Sequence, residues 1–533
     1  MKIKNLKYFA LPTLLAIALS GCFGSSSKDE RIVVPPDPVV VGPVLPPALD
    51  VVVTGNVVDI DTINVIESAT ISFREGDAAS QSIATVDGDP ITQYVTEDGS
   101  FSFTLRDGAS PDVVSLLVSA EGYFTKRFDI DFTTDEEEIE AELGLLTRVS
   151  DDTADAAVEE EVSGGTTGEE ITAAAENENA AAEATVPQGT QLLTASGAPI
   201  SGSSVTLRVG AINSNSTAMG SSVPAGLGAG TADAVVTPVG VVDVTMRDNQ
   251  GNSVKRFSNP ITVGLRLPAD TMAPSGDRTI QPGDEFDLSS FDEDLGVWSM
   301  EDNKAVVGAL NDAGTAYRAS FQTDHLTLFA ATNNMPVCQS DFVLNLSGDQ
   351  ISVPSLRLVF VSNDFNGSFS IRTDQSTHTI RALTLSHFGA STSSTARVII
   401  RSPVGDVLYD SEEVQICGGT VNAELTNPNP APVNKVVNVF SVCSNDTSVR
   451  TRITGAVVSY RESGSGRPFA SAIENSAGGY DMVNLNGQAS GYTVKVNPRL
   501  PGVAEFTRSV SANSTAETLE FNVQCRVITG TGS

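Results

Sequence analysis

Runs in which apolar and polar side chains alternate residue by residue recur along most of this 533-residue chain, and a period of two favours strands over amphipathic helices. Phe101 to Leu105 reads Phe-Ser-Phe-Thr-Leu, and Tyr492 to Val496 reads Tyr-Thr-Val-Lys-Val. Polar turns separate such runs at the spacing of β-sandwiches. At roughly 100 to 150 residues per domain, the length has room for about four. The expected fold class is all-β, with tandem antiparallel β-sandwich domains joined by flexible linkers. With 66 acidic and 32 basic side chains the net charge is −34, which argues against a nucleic-acid partner.

The N-terminus carries Lys2, Lys4 and Lys7, an apolar run from Tyr8 to Leu19, and then Leu19-Ser20-Gly21-Cys22. This is the organisation of a secretion leader, and the run falls short of the about 20 residues a spanning helix needs. Leu-Ser-Gly-Cys resembles the lipobox of bacterial lipoproteins. The resemblance implies that residues 1–21 are a signal peptide and that the Cys22 thiol takes a diacylglyceryl group before cleavage makes it the new N-terminus. Several acyl chains on one residue anchor stably where a single chain does not. Phe23 stands where many enteric lipoproteins kept at the inner membrane have Asp, so the resemblance implies the outer membrane, on its periplasmic or extracellular face. Residues 22–50 contain Pro35, Pro36, Pro38, Pro43, Pro46 and Pro47 and are expected to be an extended stalk.

Residues 51–149 form the first expected sandwich. Thr54-Gly55-Asn56-Val57, Ser68-Ala69-Thr70-Ile71, Glu97-Asp98-Gly99-Ser100-Phe101 and Ala120-Glu121-Gly122-Tyr123 resemble, in order, the carboxypeptidase regulatory-like family. That implies a transthyretin-like accessory sandwich with no chemistry of its own. No peptidase domain is expected after it, because His325, His378 and His387 lie in alternating segments without a His-x-x-Glu. Residues 150–183 hold Glu159-Glu160-Glu161 and Glu169-Glu170 in an Ala-rich setting. They are expected to be a solvated acidic linker, since such a composition buries little apolar surface. Their carboxylates lack the spacing of a dedicated calcium loop.

Residues 184–334 open with Ala184-Thr185-Val186-Pro187-Gln188-Gly189-Thr190 and close with His325-Leu326-Thr327-Leu328-Phe329-Ala330. Both ends resemble GAIN domains and the related sandwich of ankyrins and netrin receptors. In the cleaving members a His activates a Ser or Thr hydroxyl, which attacks the preceding carbonyl. The resemblance makes His325 the base, Thr327 the nucleophile and Leu326–Thr327 the bond broken. A His packed at a sandwich edge gives the same tripeptide, and that structural role is the expectation adopted. Trp298, a lone Trp in an apolar-flanked strand, is expected in the core rather than as a sugar-stacking platform. Gly226-Leu227-Gly228-Ala229-Gly230 lacks the strand before and helix after that a phosphate cradle needs, and is expected to be a loop.

Residues 335–432 alternate as a third sandwich in which His378 and His387 fall on different expected strands, without a third ligand for a metal. Residues 433–533 resemble a second regulatory-like module, with Gly478-Gly479 in place of the Asp-Gly turn. Apart from Cys22, the cysteines are Cys338 and Cys417, which flank the third unit, and Cys443 and Cys525, which flank the fourth. In an exported chain this placement predicts the disulfides Cys338–Cys417 and Cys443–Cys525.

No Gly-x-Ser-x-Gly elbow occurs and no cofactor is expected. The expected role is non-enzymatic: binding, adhesion or scaffolding by a lipid-anchored protein, with the membrane as one partner and a surface protein or polysaccharide as another. The rivals are a carbohydrate-binding accessory lipoprotein, which exposed aromatic stripes would mark, and an autoproteolytic surface protein cut between Leu326 and Thr327.

Overall fold

The computed structural model describes residues 38–76, 78–133, 137–224, 227, 234–293, 295–351, 353, 355–429 and 432–528. The leader, Cys22 and most of the expected stalk lie outside the described residues, as does most of the Gly226–Gly230 run. The alternating runs are strands, and the chain is all-β in tandem sandwiches.

In the first unit Val52–Asp59 pairs with Ser100–Leu105, which pairs with Ile83–Thr85, while Thr70–Glu75, Val113–Ser119 and Lys126–Asp131 build the facing sheet. Phe73 and Phe103, both fully buried, meet edge to face at 4.8 Å between the sheets. Each contributes about 1.5–3 kcal/mol by burial. Gly99 takes a φ of 82° in the hairpin before Ser100–Leu105, and a Cβ there would lie 2.6 Å from Val65, so the turn demands glycine on two counts.

Purely antiparallel sheets were expected, but the last strand of this unit, Glu138–Leu145, runs parallel to the first, Val52–Asp59. The same holds in the third unit, Phe342–Gly348 beside Thr420–Leu425, and in the fourth, Pro432–Cys443 beside Ala516–Val523. The fourth unit repeats the strand order of the first, but it adds a hairpin strand, Asp446–Arg452, and has no counterpart of Gln93–Val95 among the described residues. The third keeps the plan but pairs Asn366–Arg372 with the facing sheet.

Residues 150–183 are not a linker. Thr153–Ser163, Ile171–Glu176 and Ala181–Val186 are strands of the second unit, whose 12-stranded sheet folds over on itself around one core. Ile171, Ala173 and Ala175 are buried while Thr172, Ala174 and Glu176 are exposed. Backbones of Ile171–Glu176 come within 8 Å of Thr153–Ser163 and Ser204–Ile212. Facing sheets ordinarily stand about 10 Å apart, so only small side chains fit between these layers. Alanine is therefore the core residue here.

The stalk expectation is also corrected where it can be followed. Val39–Val41 pairs with Arg526–Ile528, Val40 and Leu45 pack on the fourth core, and Arg499 donates to the Pro47 carbonyl at 2.9 Å. Residues 38–50 thus lie along the fourth unit instead of spacing the first from a membrane.

The units pack on one another. Asn56 of the first unit donates to the Phe469 carbonyl of the fourth and accepts from the Phe469 amide, both at 2.8 Å, as a neighbouring strand would. Beside it the Thr54 and Ser471 hydroxyls meet at 2.8 Å, and Lys495 pairs with Asp98 at 2.7 Å. Burial opposes ionisation of Asp98, but the Lys495 ammonium outweighs it and holds the carboxyl below its ordinary range. Glu142 of the first unit faces Arg357 and Arg401 of the third at 3.8 and 3.3 Å. Arg148, at the end of the first unit, reaches Asp243 and Asp155 of the second at 2.5 and 3.4 Å.

Candidate functional site

The outer face of the second unit carries a groove of about 470 Å³ across Ile171–Glu176, Ala181–Val186, Arg256–Pro268, Ala316–His325 and Val297–Leu310. Register sets its floor. Ala174, Glu183, Gly264 and Ser320 stand in one cross-strand row, and Arg266 is directly opposite Arg318 in the next. Residues at alternate positions share a face, so these side chains point away from the core. Ala174, Gly264 and Gly308 leave the depression. A Cβ on Gly264 would come within 2.8 Å of Arg318 Nε, so the guanidinium lies across the glycine.

Two like charges directly opposite each other cost stability. Here Arg318 is offset by Glu183 at 2.9 Å, and Arg266 donates to the Glu178 carbonyl at 2.8 Å. The groove can offer guanidinium donors and carboxylate acceptors to a polar ligand, and Tyr317 is its half-buried aromatic edge. Among the described residues every aromatic side chain is buried or half-buried, so no stacking stripe accompanies the groove.

His325 ends the strand Ala316–His325. Its Nε2 lies 3.3 Å from Glu301, and its Nδ1 lies 3.2 Å from Asp324 and 3.1 Å from the Thr323 hydroxyl. The buried Thr327 hydroxyl donates instead to the Phe291 carbonyl. The two residues that the GAIN resemblance pairs are thus engaged with different partners.

The Glu301 carboxylate holds the His325 imidazole above its ordinary 6.5, against burial. In return the histidine holds Glu301 below its ordinary 4.5. A raised histidine contributes stability that is complete below its unfolded pKa and fades as pH rises through the folded one. A lowered carboxyl contributes above its unfolded pKa and fades as pH falls through the folded one. The stability difference between the wild-type chain and His325→Gln is therefore expected to peak between pH 4.5 and 6.5. Urea unfolding across pH checks this, and a difference that does not vary with pH contradicts it.

The cysteines are joined as expected. Cys338–Cys417 and Cys443–Cys525 have Cα separations of 5.4 and 5.3 Å. Both bridge the parallel pair of first and last strands: Cys338 and Cys417 precede their strands, while Cys443 ends one and Cys525 lies just past the other. Parallel strands bring like ends together, which is why these cysteines meet.

His378 is buried, with Nε2 3.2 Å from the Gln375 carbonyl. His387 is not on a strand as expected but ends the short helix Ala382–His387, whose first amide donates to Asp341. Trp298 is half-buried, packs with its ring tilted at 5.3 Å from Phe291 and donates to the Pro224 carbonyl at 3.2 Å. Among the described residues no three His, Cys, Asp or Glu side chains gather as a metal would require. The groove escaped the sequence reading because Arg266 and Arg318 lie far apart in sequence and its small residues carry no motif.

No family model matches the chain, and no curated protein matches it significantly. Among solved structures it is similar to the Bacillus anthracis TIE protein, at 9% identity over 78% of this chain and 55% of that one, with a TM-score of 0.13. The chain thus spans about half the length of that protein. BcpA, the major pilin subunit of Bacillus cereus, is similar at 8% identity over 89% of this chain and 99% of its own, TM-score 0.14. CBMbc, a family CBM26 module from Eubacterium rectale Amy13K, is similar at 11% identity over 36% and 98%, TM-score 0.11. At TM-scores of this size none of the three bears on the site.

Proposed function

We propose that this chain is a lipid-anchored outer-membrane or cell-surface protein that binds or scaffolds without doing chemistry, with the groove of the second unit as its ligand face. The observation that carries the reading is the Leu19-Ser20-Gly21-Cys22 sequence directly after a short apolar run, ahead of a body of packed sandwiches. The shared strand order of the first and fourth units supports the resemblance of both to one accessory module. A charge of −34 suits display in solution and disfavours adsorption to anionic lipid. The groove's guanidinium and carboxylate groups suit a polar surface ligand, a protein segment or a polysaccharide without aromatic stacking.

Intact mass of the full chain purified from membranes without reductant tests the reading. The expected result is one species that starts at an acylated Cys22 and lacks the four hydrogens of two disulfides. An unacylated N-terminus contradicts the anchor. Two fragments meeting at Leu326 and Thr327 would replace this reading with an autoproteolytic one.

A further inference from the structure

Val39–Val41 and Arg526–Ile528 form an antiparallel ribbon on the fourth unit, with Val39 opposite Ile528 and Val41 opposite Arg526. Val40 packs on the fourth core, so its neighbours in the pleat face outward. Val39, Val41 and Ile528 share that outward face at 60%, 41% and 47% exposure. Val44 and Val527, in the same two segments, are 88% and 47% exposed. Val527 stands opposite Val40, on the other face of the ribbon. Isolated exposed aliphatics are ordinary, but the three that share the outward face form a patch.

Val39 stands 17 residues after Cys22. At about 3.3 Å per residue that reach is at most roughly 56 Å, and less unless the segment is taut. The ribbon is the first part of the described body that a tether on Cys22 meets. We infer that the ribbon rests on the bilayer, its aliphatic face inserted at the headgroup boundary, so that the fourth unit faces the lipid. This rests on the acylation of Cys22 proposed above. Lipid is favoured over a polar partner because the outward face is aliphatic apart from Arg526, whose side chain suits the headgroup level. The second unit joins the body through the first and third, by Arg148–Asp243 and by Asn366 donating to Ser221.

The test uses the full acylated chain in phosphatidylcholine vesicles with plain or acyl-brominated lipid. Two variants retain Trp298 and add one reporter each: Ile528→Trp in the ribbon, or Met300→Trp on the second unit. Bromine is expected to quench the added emission of Ile528→Trp at least twofold and to leave that of Met300→Trp unchanged. Intact mass of the same samples separates the two layers of the inference. A chain without acyl mass on Cys22 fails the anchor reading and the ribbon with it. An acylated chain in which Ile528→Trp is quenched no more than Met300→Trp fails the ribbon alone. A concentration-dependent dimer that Ile528→Lys abolishes would assign the patch to a second copy and also overturn the inference.

Discussion

Replacing Cys443 and Cys525 together by Ala is expected to lower the stability of the fourth unit by roughly 4 to 5 kcal/mol, the chain-entropy value for a loop of about 80 residues. The bridge ties positions separated by 82 residues, and it does so at the pair on which the unit depends. Pro432–Cys443 pairs with three strands, including the closing strand Ala516–Val523. Without the disulfide, that non-local pairing must pay its own loop-closure entropy. Both sulfurs are also buried in the fourth core, so the alanines leave small voids. Urea unfolding followed by hydrogen exchange in the two strands measures the loss. The same double replacement at Cys338 and Cys417 is expected to act to a similar extent on the third unit, where the bridge spans 79 residues. A loss under about 1 kcal/mol in both units would contradict the closing role of the disulfides.

Replacing Arg148 by Ala is expected to cost about 3 to 5 kcal/mol, the usual cost of breaking one side of a buried ion pair. Arg148 is 8% exposed, stacks 4.6 Å over the Phe124 ring and donates to the Tyr123 carbonyl, all within or beside the first unit. From there it reaches Asp243, whose side chain is 3% exposed, in the strand Ala234–Asp248 of the second unit. Burial works against the guanidinium's charge, but Asp243 and Asp155 outweigh it and raise its pKa above the ordinary value. Without Arg148, the Asp243 carboxylate is left buried without its cation. Adding Asp243→Asn removes that charge, so the double variant is expected to recover part of the loss, whereas Arg148→Lys recovers less because an ammonium cannot span two carboxylates in a fork. Thermal unfolding of the three variants checks the order. Equal stability of Arg148→Ala and the double variant would contradict the account.

Much of the fold was legible because a period of two survives in single strands. Phe101 to Leu105 and Tyr492 to Val496 declare their pleat without help from the rest of the chain. The disulfide pairing was legible because the cysteines bracket units whose first and last strands adjoin. Residues 150–183 were misread because their period-two pattern is written in alanine and glutamate. Both are strong helix formers, and alanine scarcely registers as apolar. The close approach of two layers of the folded-over sheet makes Ala173 and Ala175 core residues, and that is a tertiary fact. The parallel closing strands were missed for a like reason, since alternation carries no direction.

The candidate site was less legible still. His325 and Thr327 could be read as a tripeptide, but their actual partners, Glu301 and the Phe291 carbonyl, come from other strands. Arg266 and Arg318 become neighbours only through the register of two long strands. The seam between the first and fourth units depends on single polar side chains such as Asn56, which bonds the Phe469 backbone 413 positions away and leaves no local signature.

That seam is the most exposed part of the account, because it turns a string of sandwiches into one body. Thr54→Cys with Ser471→Cys, made in the otherwise unchanged chain, tests it directly. The two wild-type hydroxyl oxygens stand 2.8 Å apart, within reach of a disulfide's side-chain geometry. A non-reduced peptide map is expected to show residue 54 joined to residue 471 without added oxidant, with Cys338–Cys417 and Cys443–Cys525 intact. Free, alkylatable thiols at both positions would contradict the packed body and return the molecule to separate sandwiches.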